Sequence, residues 1–118
     1  MLQPILWSLL ALIHALPASA LFRPAGLTTL YGIGPDDPLF LLMQHRAGLF
    51  FAVFVAAAWA AYDPASRKLA TIVVGISMLS FLVLWIAKGM PPALRQIAIV
   101  DAIGVPILLW AGWLAFRG

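Results

Sequence analysis

The chain contains no cysteine. Disulfides, iron–sulfur clusters and thiolate catalysis are thereby excluded, and the compartment stays open. Charge is almost as scarce: only 9% of the 118 residues are Asp, Glu, Lys or Arg. Soluble domains carry roughly 25%. The net charge of +3 rests on seven basic and four acidic side chains. They form no basic cluster interleaved with aromatics, which excludes nucleic acid as a partner. A P-loop, a zinc signature and the motifs of soluble hydrolases are also missing. Met43, Met78 and Met90 share no helical face, so no copper site is expected and no metal is assigned.

What the sequence has instead is oil. Hydrophobic residues make up 64% of it, and its mean hydropathy is +1.06. These values place it among integral membrane proteins, and its length allows a single domain, residues 1–118. The first apolar run ends in Ala18-Ser19-Ala20, a plausible signal-cleavage pattern. No basic residue precedes the run, however, as a secretory signal would require. It is read as a retained helix.

A spanning helix needs about 20 apolar residues. Four segments qualify, at about 4–21, 39–62, 69–87 and 93–116. Pro4 suits a first helical turn. Asp63-Pro64 and the basic pair Arg67-Lys68 break the chain after the second segment. Gly89 and the pair Pro91-Pro92 end the third. The expected fold is all-α: an antiparallel bundle of four transmembrane helices with one long first connection. In that connection, "AGLTTLYG" suggests a short interfacial helix with Tyr31 at headgroup depth.

Polar residues are few enough to place one by one. In "LLMQHRAGLFF", Leu41 to Phe51, the residues Gln44, His45 and Arg46 stand together. After Arg46 the apolar run to Tyr62 is 16 residues, and after Asp101 the run to Phe116 is 15. Both fall short of a span, so His45, Arg46 and Asp101 belong inside their helices. His14 lies eight residues before Phe22, about 12 Å into the first helix. All four helices thus contribute polar groups to one half of the bilayer. A lone carboxylate there costs about 2.5–3.5 kcal/mol even on the lenient insertion scale, so Asp101 needs a partner, Arg46 or His45. Gly48, Ala52, Ala56 and Ala60 repeat every four residues, which suggests a close-packing face that turns the polar end inward. Pro17 is expected to kink the first helix beside His14. Ser77 and Ser80 complete the lining, and Arg95 opens the fourth helix.

The cluster His14, Gln44, His45, Arg46, Ser77, Ser80, Arg95 and Asp101 has a structural reading, an interhelical clamp. Its functional readings begin with binding of a lipophilic small molecule (a quinone, isoprenoid or lipid) or service as an accessory subunit of a membrane complex. The alternatives are bis-histidine haem b on His14 and His45, or a membrane enzyme using His45 and Asp101 as an acid–base pair. Expected partners are membrane lipids and other membrane subunits or further copies of the chain. Arg67, Lys68 and Arg117 lie on one side of the membrane; Arg23, Arg46, Lys88 and Arg95 lie on the other. With Arg46 and Arg95 assigned to a site, the positive-inside rule puts both termini in the cytoplasm.

One family resemblance rests on short motifs spread over nearly the whole chain. They are a His in the first helix, "LYG" with an acidic-Pro turn, "HRA" opening the second helix, "SMLSF" in the third and "ALR…D" opening the fourth. Here they correspond to His14, Tyr31, Asp37, His45, Arg46, Ser77, Ser80, Arg95 and Asp101. The sequence resembles a family of small bacterial four-helix membrane proteins of unknown function and, more loosely, DoxX-like proteins. The resemblance implies a bacterial inner-membrane location and carries no activity. Some members of that family bear the label phosphopantetheine adenylyltransferase. That chemistry needs a nucleotide-binding α/β domain for which this chain has no room.

Overall fold

In the computed structural model the described residues are 2–23, 25, 28–29 and 32–117. Among them there is no strand. Four long helices carry the fold: α1, Leu2–Ser19; α2, Leu39–Tyr62; α3, Arg67–Ala87; and α4, Arg95–Arg117. Three segments are long and apolar enough to cross a membrane: Leu39–Tyr62, Pro64–Ala87 and Arg95–Arg117. At 18 residues, α1 is shorter. The suggested interfacial helix of "AGLTTLYG" includes Gly26, Leu27, Leu30 and Tyr31, which lie outside the described residues.

The turns explain the helix ends. At the close of α3, the Gly89 N–H donates to Ile86 O at 3.2 Å and the Met90 N–H to Trp85 O at 2.9 Å. This pair of bonds is the Schellman motif, and Gly89 occupies its left-handed position with φ of 88°. The Trp85 indole donates to Pro91 O at 3.0 Å and pins the proline pair to the helix it follows. At the α2–α3 turn, the Asp63 carboxylate accepts from the Ala65 N–H and from the Trp59 indole, both at 3.1 Å. Arg67 then reaches back. Its Nε donates to Ala60 O at 2.7 Å and its Nη2 to Ala61 O at 3.1 Å. The last carbonyls of a helix have no partner inside it, and here a guanidinium supplies one.

Each helix neighbours the next in sequence, and α4 closes back on α1. The α1–α2 seam is the most extensive; the α2–α3 and α1–α4 seams are looser. Leu6, Trp7, Leu10 and Ala11 of α1 meet Ala57, Ala60 and Ala61 of α2 in the main core. Glycine permits the closest approaches. A Cβ on Gly104 of α4 would collide with Met78 of α3 and stand 2.8 Å from Ile13 Cδ1 of α1, so three helices converge there. A Cβ on Gly112 would stand 2.7 Å from Thr71 Cγ2.

Large apolar side chains are exposed on all four helices, among them Leu12, Leu49, Val55, Ile76, Ile103 and Leu109. The buried polar or charged residues among those described are His14 and Arg67. Apolar outside and selectively polar inside is the arrangement a hydrocarbon solvent favours.

The expected small-residue face of α2 is packed only in part: Ala60 is buried and Gly48 and Ala56 are half-buried, but Ala52 is exposed, and the other buried residues are Ala47, Ala57 and Ala61. A strict four-residue repeat advances about 40° further round the helix at each step, so it drifts off any straight seam. The packed seam alternates steps of three and four, through Ala47, Phe50, Phe54, Ala57 and Ala61, with the two Phe partly buried.

Candidate functional site

The polar layer is organised around His14. Its ring is 2% exposed. Nδ1 lies 2.9 Å from Leu10 O, one turn back on α1. Nε2 lies 3.2 Å from Ser77 Oγ on α3. A carbonyl oxygen can only accept, so Nδ1 carries the proton and donates. A charged imidazolium here would be desolvated with two neutral partners and no carboxylate on the ring, a costly arrangement. The ring is therefore neutral, Nε2 is an acceptor, and the Ser77 hydroxyl donates to it. The bond ties α1 to α3, diagonal neighbours that also meet in the core near Gly104.

Arg46 forms the second centre. Its guanidinium carbon stands 4.5 Å from the centroid of the Phe50 ring, one turn along α2. The same phenyl lies 6.1 Å from the His14 ring. Phe50 thus sits between the two polar centres and presents its π-face to the cation. The guanidinium also acts electrostatically on the half-buried carboxyl of Asp101 on α4. Because α2 and α4 are not neighbours in the ring of seams, this interaction runs across the bundle.

A groove opens beside this layer, along the loose α2–α3 seam. Its volume is about 550 Å³, and its apolar walls include Leu49, Val53, Val73, Ile76, Phe81 and Leu84. Arg46, Ser77 and Ser80 also line it. The Ser80 hydroxyl is exposed and points to Ser77 O at 3.4 Å. From Arg46 to Val53 the α2 wall rises about 10 Å, and on the α3 wall Ser77 and Ser80 lie between Val73 and Leu84. The size of the groove falls within the roughly 300–1,000 Å³ usual for small-molecule sites.

The expected site residues divide accordingly. His14, Arg46 and Ser77 are drawn together, Ser80 borders them at the groove, and Asp101 joins through Arg46. Gln44 is half-buried one turn before Gly48, whereas His45 and Arg95 are exposed. For haem, His14 would have to give up the Ser77 bond to free Nε2, because Nδ1 is held by its own helix. For an acid–base pair, His45 on the outer face of α2 would have to reach Asp101 on α4.

Two residues that shape the polar interior escape a reading by polarity and length. Phe50 is one apolar residue among many; its signal is the spacing of four residues from Arg46. Arg67 reads as a surface charge in a turn, yet it is 9% exposed. Its signal is a basic side chain just past a helix C-terminus.

No family model, curated protein or solved structure matches this chain.

Proposed function

We propose that the chain is a bacterial inner-membrane bundle of four antiparallel spanning helices with one long first connection. In this reading it binds a lipophilic small molecule, a quinone, isoprenoid or lipid, in the α2–α3 groove. The observation that carries the reading is the groove itself: a largely apolar trough of about 550 Å³ whose lining includes Arg46, Ser77 and Ser80. A bundle clamped for stability alone would close its seams over such groups, since polar atoms left facing hydrocarbon are costly. Here the seam beside them is open. The membrane location rests on the three long apolar helices, on the apolar exterior, and on the resemblance to small bacterial four-helix proteins.

Ala52 is exposed and lines the groove without belonging to the polar layer. Ala52→Trp should therefore fill the trough while leaving His14, Arg46 and Asp101 in place. Protein purified in mild detergent is expected to release a lipophile on organic extraction, detected by mass spectrometry. In Ala52→Trp the extracted amount should fall to background, with helicity retained. Extracts from both proteins that contain nothing beyond bulk lipid would favour the clamp.

A further inference from the structure

A second cavity, of about 370 Å³, lies at the opposite end of the bundle from the polar layer. Its walls are Gln3 at the start of α1, Ala65 in the α2–α3 turn, Arg67 and Lys68 at the start of α3, and Leu114 and Ala115 near the end of α4. The wall carries two cations and no carboxylate. Arg67 is only 9% exposed. Its Nε and Nη2 bond the carbonyls of Ala60 and Ala61. Those two nitrogens form one edge of the planar guanidinium. The adjoining edge, Nη1 with the second hydrogen of Nη2, has no partner among the described residues. Nor is Nη1 sealed in: the buried polar side-chain atoms without a partner among the described residues are Gln3 Oε1 and Trp7 Nε1. Asp63, four residues before Arg67, turns its carboxylate to the Ala65 N–H and the Trp59 indole instead. No described carboxylate pairs with Arg67 or Lys68.

A desolvated cation without a counter-charge is costly. The C-terminal end of α2 supplies about half a negative charge to Arg67, and Lys68 adds a further positive one. Two parallel N–H groups on a guanidinium edge match two oxygens of an oxyanion. In a spanning bundle the helix ends stand at headgroup depth, where the abundant oxyanion is phosphate, and basic pockets between membrane helices take such groups. We propose that this cavity binds a phosphate group, that of an anionic lipid or free phosphate, on the open edge of Arg67 and on Lys68.

The delipidated full chain in mild detergent is titrated with dioleoyl phosphatidylglycerol and with dioleoyl phosphatidylcholine, and binding is read by native mass spectrometry. The two lipids share their acyl chains, and choline cancels the phosphate charge. Phosphatidylglycerol should bind about tenfold tighter. Ala65→Glu, which sets a carboxylate on the cavity wall, and Lys68→Gln should remove most of that preference. Arg67→Lys keeps the charge, loses the paired N–H edge and should lower it too. Arg117→Gln removes a cation from the same end of the bundle but not from the cavity wall, and should leave it intact. Radiolabelled orthophosphate in equilibrium dialysis supplies the second arm. Lipid preference without orthophosphate binding assigns the site to a headgroup; orthophosphate binding that is lost in Ala65→Glu assigns it to the free anion. Neither result overturns the proposal, and so does an effect of Arg117→Gln as large as that of Lys68→Gln, or none in Arg67→Lys. The preference should persist in Ala52→Trp, so the fate of this cavity is separable from that of the α2–α3 groove.

Discussion

Arg67 shows how much one side chain decides at the residue scale. It begins α3, but its guanidinium lies back on α2, where it bonds the carbonyls of Ala60 and Ala61. Charged hydrogen bonds of this kind contribute about 1.5–3 kcal/mol each, and their loss leaves acceptors unpaired. Arg67→Met keeps the apolar stem and removes both bonds. It is expected to lower stability by about 3–6 kcal/mol in thermal or denaturant unfolding followed by circular dichroism in detergent. Arg67→Lys can reach one carbonyl at a time and should fall between. A Met variant as stable as the parent would mean that water caps α2 equally well. The same scale shows what the sequence could not display. Length alone draws Arg46 and Asp101 into the membrane, and both belong to the polar layer. Depth says nothing about rotation, however. Successive residues on a helix point about 100° apart, and α2 is apolar around its whole circumference. No amphipathic signal therefore distinguishes His45, which faces out, from Arg46, which lines the groove.

At the scale of elements, three helical glycines divide by what stands opposite them. A Cβ on Gly48 would meet Leu21 at 3.6 Å, and one on Gly75 would meet Leu108 at 3.8 Å, both ordinary contacts. Ala at either position gains up to about 1 kcal/mol of helix propensity and should leave stability unchanged or raised. Gly112 is different. Its Cβ would stand 2.7 Å from Thr71 Cγ2, and the Thr71 hydroxyl is already tied to Arg67 O at 2.7 Å. A β-branched side chain with a committed hydroxyl has little room to yield. Gly112→Ala is expected to force α3 and α4 apart and cost about 1–3 kcal/mol. Unfolding midpoints measured side by side test the contrast, which fails if Gly112→Ala behaves like Gly48→Ala. Helix ends are legible because punctuation is local. "KGMPP" builds its own Schellman turn, and "YDPASRK" builds its own cap. α3 begins at Arg67, ahead of the expected residue 69, because its first turn is made of charged residues that a hydropathy window discounts. The packing seam of α2 was less accessible, since small residues occupy both the buried face and the groove wall.

At the scale of the whole molecule, the open question is which way the bundle sits. Cytoplasmic termini follow only if Arg46 and Arg95 are both removed from the positive-inside count. Arg46 does belong to the polar layer. Arg95 is exposed at the start of α4 and returns to the count. Arg67, Lys68 and Arg117 then stand against Arg23, Lys88 and Arg95, three cations on each side. Asp36, Asp37 and Asp63 weigh little in this rule, which counts Lys and Arg near helix ends. An evenly charged bundle is expected to be poised, with its orientation sensitive to single charges. The absence of cysteine makes this directly measurable. Single cysteines at Asp36, in the long connection, and at Ala65, in the α2–α3 turn, report the two sides to a membrane-impermeant maleimide on intact cells. Adding Gly34→Lys should shift labelling away from position 36 and toward position 65. Adding a lysine at Ser66 should shift it the opposite way. An orientation that resists both substitutions would mean that something other than the cation balance fixes the insertion.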